Sequence, residues 1–246
     1  MWDQPVAIVF WYAMLTAVTT GLGAIPFFFV KKMPPRWLGW SGAIASGIML
    51  AASFRLIEEG TDHNVYRTLI GLVLGLLFIW LSHKWLSRRG DVDLEDLQQA
   101  DTAKVLLIMG VMTLHSFAEG IGVGVSFGDG EKFGAFISWA IAIHNIPEGL
   151  AISLVLVPRG YSVWRAMLLS IFSSLPQPLL AVPSFLFVES FEPILPVGLG
   201  LAAGAMIWMV VSELLPDAFE NASKEQVGIL ATLAAGAMVL FQYLIG

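Results

Sequence analysis

Four ionisable side chains lie in stretches otherwise apolar enough to belong in a membrane. His115 and Glu119 fall in His115-Ser-Phe-Ala-Glu119-Gly120, and His144 and Glu148 in His144-Asn-Ile-Pro-Glu148-Gly149. Each pair has i, i+4 spacing, which puts both side chains on one face of a helix, one turn apart. A charge at mid-membrane costs about 3 kcal/mol on insertion scales unless it has a partner or a function. Neutral imidazole and carboxylate suit zinc, iron(II) or manganese, and two carboxylates neutralise a double positive charge. One such pair alone reads equally well as a buried hydrogen bond locking two helices. Two pairs at one depth point to a site. Proton relay is the other chemistry open to His and Glu, and it accompanies metal binding, which displaces protons.

The two pairs are level if the turn between their helices centres near Gly130. His115 precedes that glycine by about as many residues as His144 follows it, so an antiparallel hairpin sets the imidazoles side by side. At 1.5 Å per residue, Glu119 and Glu148 then lie within about 6 Å of the histidine level. Pro147 has no N–H and leaves the carbonyl of Ile143 without its helical donor, and Asn145 adds a neutral oxygen. Gly120 and Gly149, each following its Glu, allow close helix approach.

The elements that must position these groups follow from composition. Of 246 residues, 57% are hydrophobic and 13% charged, with a mean hydropathy of +0.77. A chain this apolar cannot hide its surplus in one core, so lipid is its solvent. The net charge of −6 and the lack of a basic run argue against nucleic acid as a partner. With no cysteine, disulfides, Cys-type zinc sites, iron–sulfur clusters and thiol catalysis are excluded. The stretch from Val6 to Val30 is too long for the apolar core of a signal peptide and is expected to stay as a membrane helix.

Eight apolar stretches of spanning length are expected: 6–30, 37–57, 67–86, 104–127, 133–157, 162–188, 193–218 and 226–245. Short breaks make neighbours antiparallel. The long break, 84–103, is an acidic connection containing Asp91-Val-Asp-Leu-Glu-Asp96. The spans are continuously apolar, which excludes a β-barrel. The fold class is thus all-α, a polytopic membrane protein forming a single domain over 1–246. Lys31, Lys32, Arg36, Lys84, Arg88, Arg89, Lys104, Arg159, Arg165 and Lys224 share one side, while Arg55, Arg67 and Lys132 occupy the other. The positive-inside rule then places both termini outside and the acidic loop in the cytoplasm. Trp37, Trp85 and Trp164 fall near the inner boundaries, where indoles settle.

At His144-Asn-Ile-Pro-Glu148-Gly149 the sequence resembles the ZIP family of divalent-metal transporters, whose signature lies in the fourth and fifth of eight spans. The likeness extends to the span count, the outward termini, the long inner loop, Gly47-Ile-Met49-Leu and Glu213-Leu-Leu-Pro216. It is with the bacterial and plastid-type branch related to GufA and ZupT, which implies an inner or plastid-type membrane. The resemblance implies a primary metal site of His115, Glu119, His144 and Glu148 with Met49 nearby, and a second position lined by Ser116, Asn145 and Gln177. It also implies a homodimer, and a bundle of spans one, four, five and six that moves against spans two, three, seven and eight. Metal would travel toward the cytoplasm; zinc is the first expectation, with iron, manganese and cadmium also fitting the ligands. Span four departs from the family in Ser116 and Ala118, where many members carry Asn and Pro, and span six places Gln177 where many place Glu. These changes remove bulk and a charge from the second position, so one strong metal site and a weak or absent second are expected.

Other motifs have plainer readings. Gly71-x-x-x-Gly75 and Gly200-x-x-x-Gly204 let helices pack closely, within the chain rather than against a dimer partner. Glu213 and Asp217 read equally as aids to metal exit or as a solvated helix end. Arg55, Glu58, Glu59, Asp62 and His63 read as a polar loop before a cation-gathering cluster. Gly124-Val-Ser126-Phe-Gly128 fits G-x-S-x-G, and an intramembrane hydrolase using Ser126, or a metal-bound water, is the rival function. Ser126 and His144 differ in depth by about 15 Å at the helical rise, and neither a strand-to-helix elbow nor H-E-x-x-H is present. No enzyme activity is expected, and no cofactor beyond the transported metal. A proton-coupled carrier of an organic substrate is a third possibility.

Overall fold

The computed structural model describes residues 4–30, 34–87 and 102–245, with every side chain among them except those of residues 35, 86, 87, 102–108, 111, 192 and 245. Helices α1 (Gln4–Leu22), α2 (Pro35–Ser87), α3 (Thr102–Gly128) and α4 (Glu131–Leu156) are followed by α5 (Val163–Ser174) and α6 (Pro176–Ser190). The chain ends in α7 (Leu195–Met209), α8 (Leu215–Asn221) and α9 (Lys224–Ile245), and the described residues include no strand. Six helical stretches among them are long and apolar enough to cross a membrane. Trp11, Leu69, Phe172, Leu179, Leu233 and Leu240 are all at least half exposed on the outside of the bundle, an arrangement that suits an apolar solvent.

Helix α2 is two arms. Asn64 leaves the helical region (φ −166°, ψ 106°), and its side-chain oxygen accepts the Arg67 N–H at 3.0 Å, starting the second arm as an N-cap does. A straight helix would hold residues 60 and 68 about 12 Å apart, yet a Cβ on Gly60 would lie 2.8 Å from the Thr68 hydroxyl. The chain therefore doubles back at Asn64, inside the break anticipated between spans two and three.

Elsewhere proline sets the boundaries. Helix α1 stops at Leu22, short of the expected residue 30, and a 3₁₀ turn, Ile25–Phe28, carries Pro26. The span expected over 162–188 is broken at Leu175, and α6 begins at Pro176, where a missing N–H costs nothing. The span expected over 193–218 contains a π-helical turn, Val210–Leu214, just before Pro216. Lys84 to Ser87 continue α2 and α3 begins at Thr102; the rest of the acidic connection, including Asp91–Asp96, lies outside the described residues.

The helices sort into two groups. Helices α1, α3, α4, α5 and α6 pack on one another, and α2 packs on α7, α8 and α9, while α2 with α4 and α3 with α7 join the groups. Small residues set the approach. A Cβ on Gly71 or Gly75 would strike the backbone of Val197 or Leu201, and one on Gly200 or Gly204 that of Thr68 or Leu72. Both GxxxG patterns are thus used within the chain, against each other. Gly130, with Asp129, makes the two-residue reversal between α3 and α4 and has a φ of 126°, which a side chain rarely adopts.

Candidate metal centre

Glu119 on α3 and His144 and Glu148 on α4 each offer a ligand atom, all within 4.8 Å of one another, and all three residues are buried. His144 Nε2 lies 2.9 Å from Glu119 Oε1. Its other ring nitrogen, Nδ1, faces the Ala140 carbonyl oxygen at 3.3 Å, which is how backbone orients a ligating histidine. Helix α4 runs unbroken through Pro147, which lines the same cavity.

His115 stands apart from this trio. Its Nε2 is 2.9 Å from Glu213 Oε2, and Glu213 Oε1 is 3.5 Å from Nε2 of His83. Glu213 reaches inward from the π-helical turn of the seventh span. Such turns insert an extra residue and re-aim side chains. A cavity of about 270 Å³ joins the two sets, running from Glu119, His144 and Glu148 past Met49, His115 and Glu213 to Asp217 and the exposed Glu220. Toward the Asp129 end the interior is filled instead by fully buried Leu56, Val123, Ile137 and Ile141. Among the described residues the cavity lining thus reaches one end of the bundle and not the Asp129 end.

The second set of candidate residues is a hydrogen-bonded chain. Gln177 Nε2 donates to Glu119 Oε2 at 2.5 Å, and Gln177 Oε1 accepts from the Thr16 hydroxyl at 2.5 Å and from Asn145 Nδ2 at 3.3 Å. Asn145 Nδ2 also donates to the Thr16 carbonyl oxygen at 2.9 Å. The approach is set by glycines: a Cβ on Gly149 would collide with the Thr20 carbonyl oxygen, and one on Gly120 would meet the Gln177 backbone at 2.7 Å. Ser116 Oγ, Asn145 Oδ1 and Glu148 Oε1 are buried with no hydrogen-bond partner. Buried groups left this way are costly, and oxygens with free lone pairs are what a cation takes.

The family model described as the ZIP zinc transporter matches residues 58–242, which include every residue of this centre on α3 and α4. The chain belongs to the ZIP family. An Arabidopsis thaliana protein named as a candidate zinc transporter is 50% identical over 236 residues, covering 95% of this chain and 38% of that protein. The chain thus spans well under half of that relative. The zinc transporter ZIPB of Bordetella bronchiseptica is 32% identical over 243 residues, covering 90% of this chain and 76% of the relative. GufA of Myxococcus xanthus, also named a zinc transporter, is 29% identical over 218 residues, 83% of this chain and 86% of its own. These ZIP relatives are named as transporters and not as enzymes, and the chain is a multi-pass membrane protein.

Within this ZIP chain the rival serine has no catalytic geometry: Ser126 is fully buried and donates to the carbonyl oxygens of Gly122 and Val123 of its own helix. Thr16 is the residue that sequence reasoning passed over. The signal was present, since Thr16, Thr19 and Thr20 form a polar stripe at helical spacing in an otherwise apolar span, and all three are buried. His83 belongs to the Glu213 side of the cavity.

Proposed function

We propose that this chain carries a divalent transition metal, zinc foremost and iron, manganese or cadmium by the same ligand chemistry, across a lipid bilayer toward the cytoplasm by alternating access. The observation that carries this reading is the convergence of Glu119, His144 and Glu148 at the closed end of a cavity that opens at the other end through His115, Glu213 and Asp217. With Nδ1 of His144 held by the Ala140 carbonyl, Nε2 turns its lone pair to the metal, and two carboxylates balance the charge. His115 is a fourth ligand when it leaves Glu213, so the pair offers an exchange of partners that hands metal from the trio toward the cavity mouth.

Several further features support the reading. Six apolar helical stretches, with α2 counted as two arms and α3 added, make eight crossings, which returns both termini to one side. The cavity lining reaches Leu38 and Ser41 near Arg36 at the start of α2, the side that the positive-inside rule assigns to the cytoplasm, which supports an inward-open reading. The two helix groups are the natural moving and fixed bodies, and the described helices form one transport unit, working as a homodimer in an inner or plastid-type membrane. Gln177, tied to Thr16, Asn145 and Glu119, fills the second position with hydrogen bonds, which favours one strong metal site.

The test is zinc influx into proteoliposomes loaded with a zinc-responsive dye. Wild type is expected to admit zinc down its gradient, and His144→Ala and Glu148→Ala to lower the rate at least about tenfold, the cost of losing even a group that only orients a ligand. Unchanged influx in either variant would sink the reading.

A further inference from the structure

At the opposite end of the bundle from the cavity mouth, Glu59, His63 and Asp129 bring one ligand atom each to within 4.8 Å of one another. Glu59 and His63 are i, i+4 neighbours on the first arm of α2, the spacing that also pairs the ligands of the central site. Asp129 comes from the turn between α3 and α4, and its Oδ1 is 2.6 Å from His63 Nε2. Arg55 pairs with Oε2 of Glu59 and lies 3.2 Å from Glu58, while stacking its guanidinium over Phe133 at 5.3 Å. That contact orients Glu59 and leaves its second oxygen toward Asp129.

We propose that Glu59, His63 and Asp129 form a second binding site for a zinc-like dication, one that ties α2 to the α3–α4 turn. One imidazole and two carboxylates are a three-ligand set of the kind zinc accepts, with solvent completing a tetrahedron. Ligand atoms at about 2.0–2.1 Å from zinc stand roughly 3.3 Å apart in that geometry, so the trio needs to shift by about 1 Å. Charge favours the same occupant: Glu58, Glu59, Asp62, Asp129 and Glu131 gather here, with Arg55 and Lys132 as the cations. A plain ion pair between His63 and Asp129 would use one carboxylate and leave Glu59, held by Arg55 through Oε2, with its other oxygen beside it. The groove beside the trio, lined by Glu59, Asp129 and Phe133, gives an ion access from that end. Bound metal holds the two helix groups together there, where the central cavity is closed.

The experiment measures zinc retained per chain by purified full-length protein in detergent, in a background that lacks the central site, Glu119→Gln with His144→Ala. That protein is expected to keep about one zinc per chain, with X-ray absorption showing one imidazole among nitrogen and oxygen ligands. Adding His63→Gln and Asp129→Asn is expected to remove it, weakening zinc binding at least about tenfold. In the same background, zinc is expected to protect His63 from diethylpyrocarbonate, read by mass spectrometry, which needs no change to the outer trio. A central-site variant that holds no zinc and leaves His63 equally reactive with and without metal overturns the proposal, as does full zinc retention after His63 and Asp129 are replaced.

Discussion

Nε2 of His115 is bonded to Oε2 of Glu213 at 2.9 Å, and not to Glu119, its neighbour one turn along α3. The pair joins the two helix groups beside the central trio, and both residues line the cavity. Glu213→Gln keeps the shape and removes the charge. It is expected to cost about 1–3 kcal/mol of stability, the penalty for weakening a buried charged hydrogen bond, seen as a lower melting temperature in detergent. Zinc influx is expected to fall with it while zinc binding to the trio persists. An unchanged melting temperature and rate would show that the pair matters to neither.

Gln177→Glu places a carboxylate against Oε2 of Glu119, where an amide N–H now donates at 2.5 Å. Like charges in a buried site raise the cost of both, so the metal-free protein is expected to melt lower than wild type. Metal reverses this: zinc bound per chain is expected to rise by about one, as the added carboxylate gives a second ion a charged ligand. Atomic emission on gel-filtered protein measures it, and an unchanged zinc content would refute the view that Gln177 suppresses a second site.

Gly149→Ala drives a methyl group into the Thr20 carbonyl oxygen. Backbone cannot move aside as a flexible side chain can, so the expected cost is at the upper end of overpacking, about 3 kcal/mol or more. Helices α1 and α4 are expected to separate, and Thr16 to lose Asn145. Zinc affinity is expected to drop along with stability, which isothermal titration on the surviving folded fraction checks.

Gly130→Ala provides the contrast. Its φ of 126° is unsuited to a side chain, yet nothing lies within 4 Å of the added Cβ. The expected loss is only the backbone strain, about 1–3 kcal/mol, with zinc affinity of the central site unchanged. A large fall in zinc binding would mean that the turn sets the level of the two histidines more tightly than packing suggests.

Ser126→Ala removes a hydroxyl bonded solely to its own helix. Zinc influx is expected to match wild type in proteoliposomes. Loss of influx at normal protein levels would reopen the role of this serine.

Local rules made much of this protein readable in one dimension. Apolar length marked the helices, Gly130 marked the reversal, and i, i+4 spacing put Glu119, His144 and Glu148 on facing surfaces, while the break between α5 and α6 at Pro176 fell inside a stretch expected to be one span. These features depend on residues within one or two turns of one another. What the sequence left open is which distant group each polar side chain meets. His115 faces Glu213 because a π-helical turn in the seventh span swings that carboxylate inward, and Gln177 reaches Glu119 because Gly120 lets α6 close on α3. Glu59 and His63 read as part of a polar loop until the α3–α4 turn laid Asp129 beside them. Helix periodicity assigns a face; only the crossing of helices, set by glycines and breaks far apart in the chain, decides what that face sees.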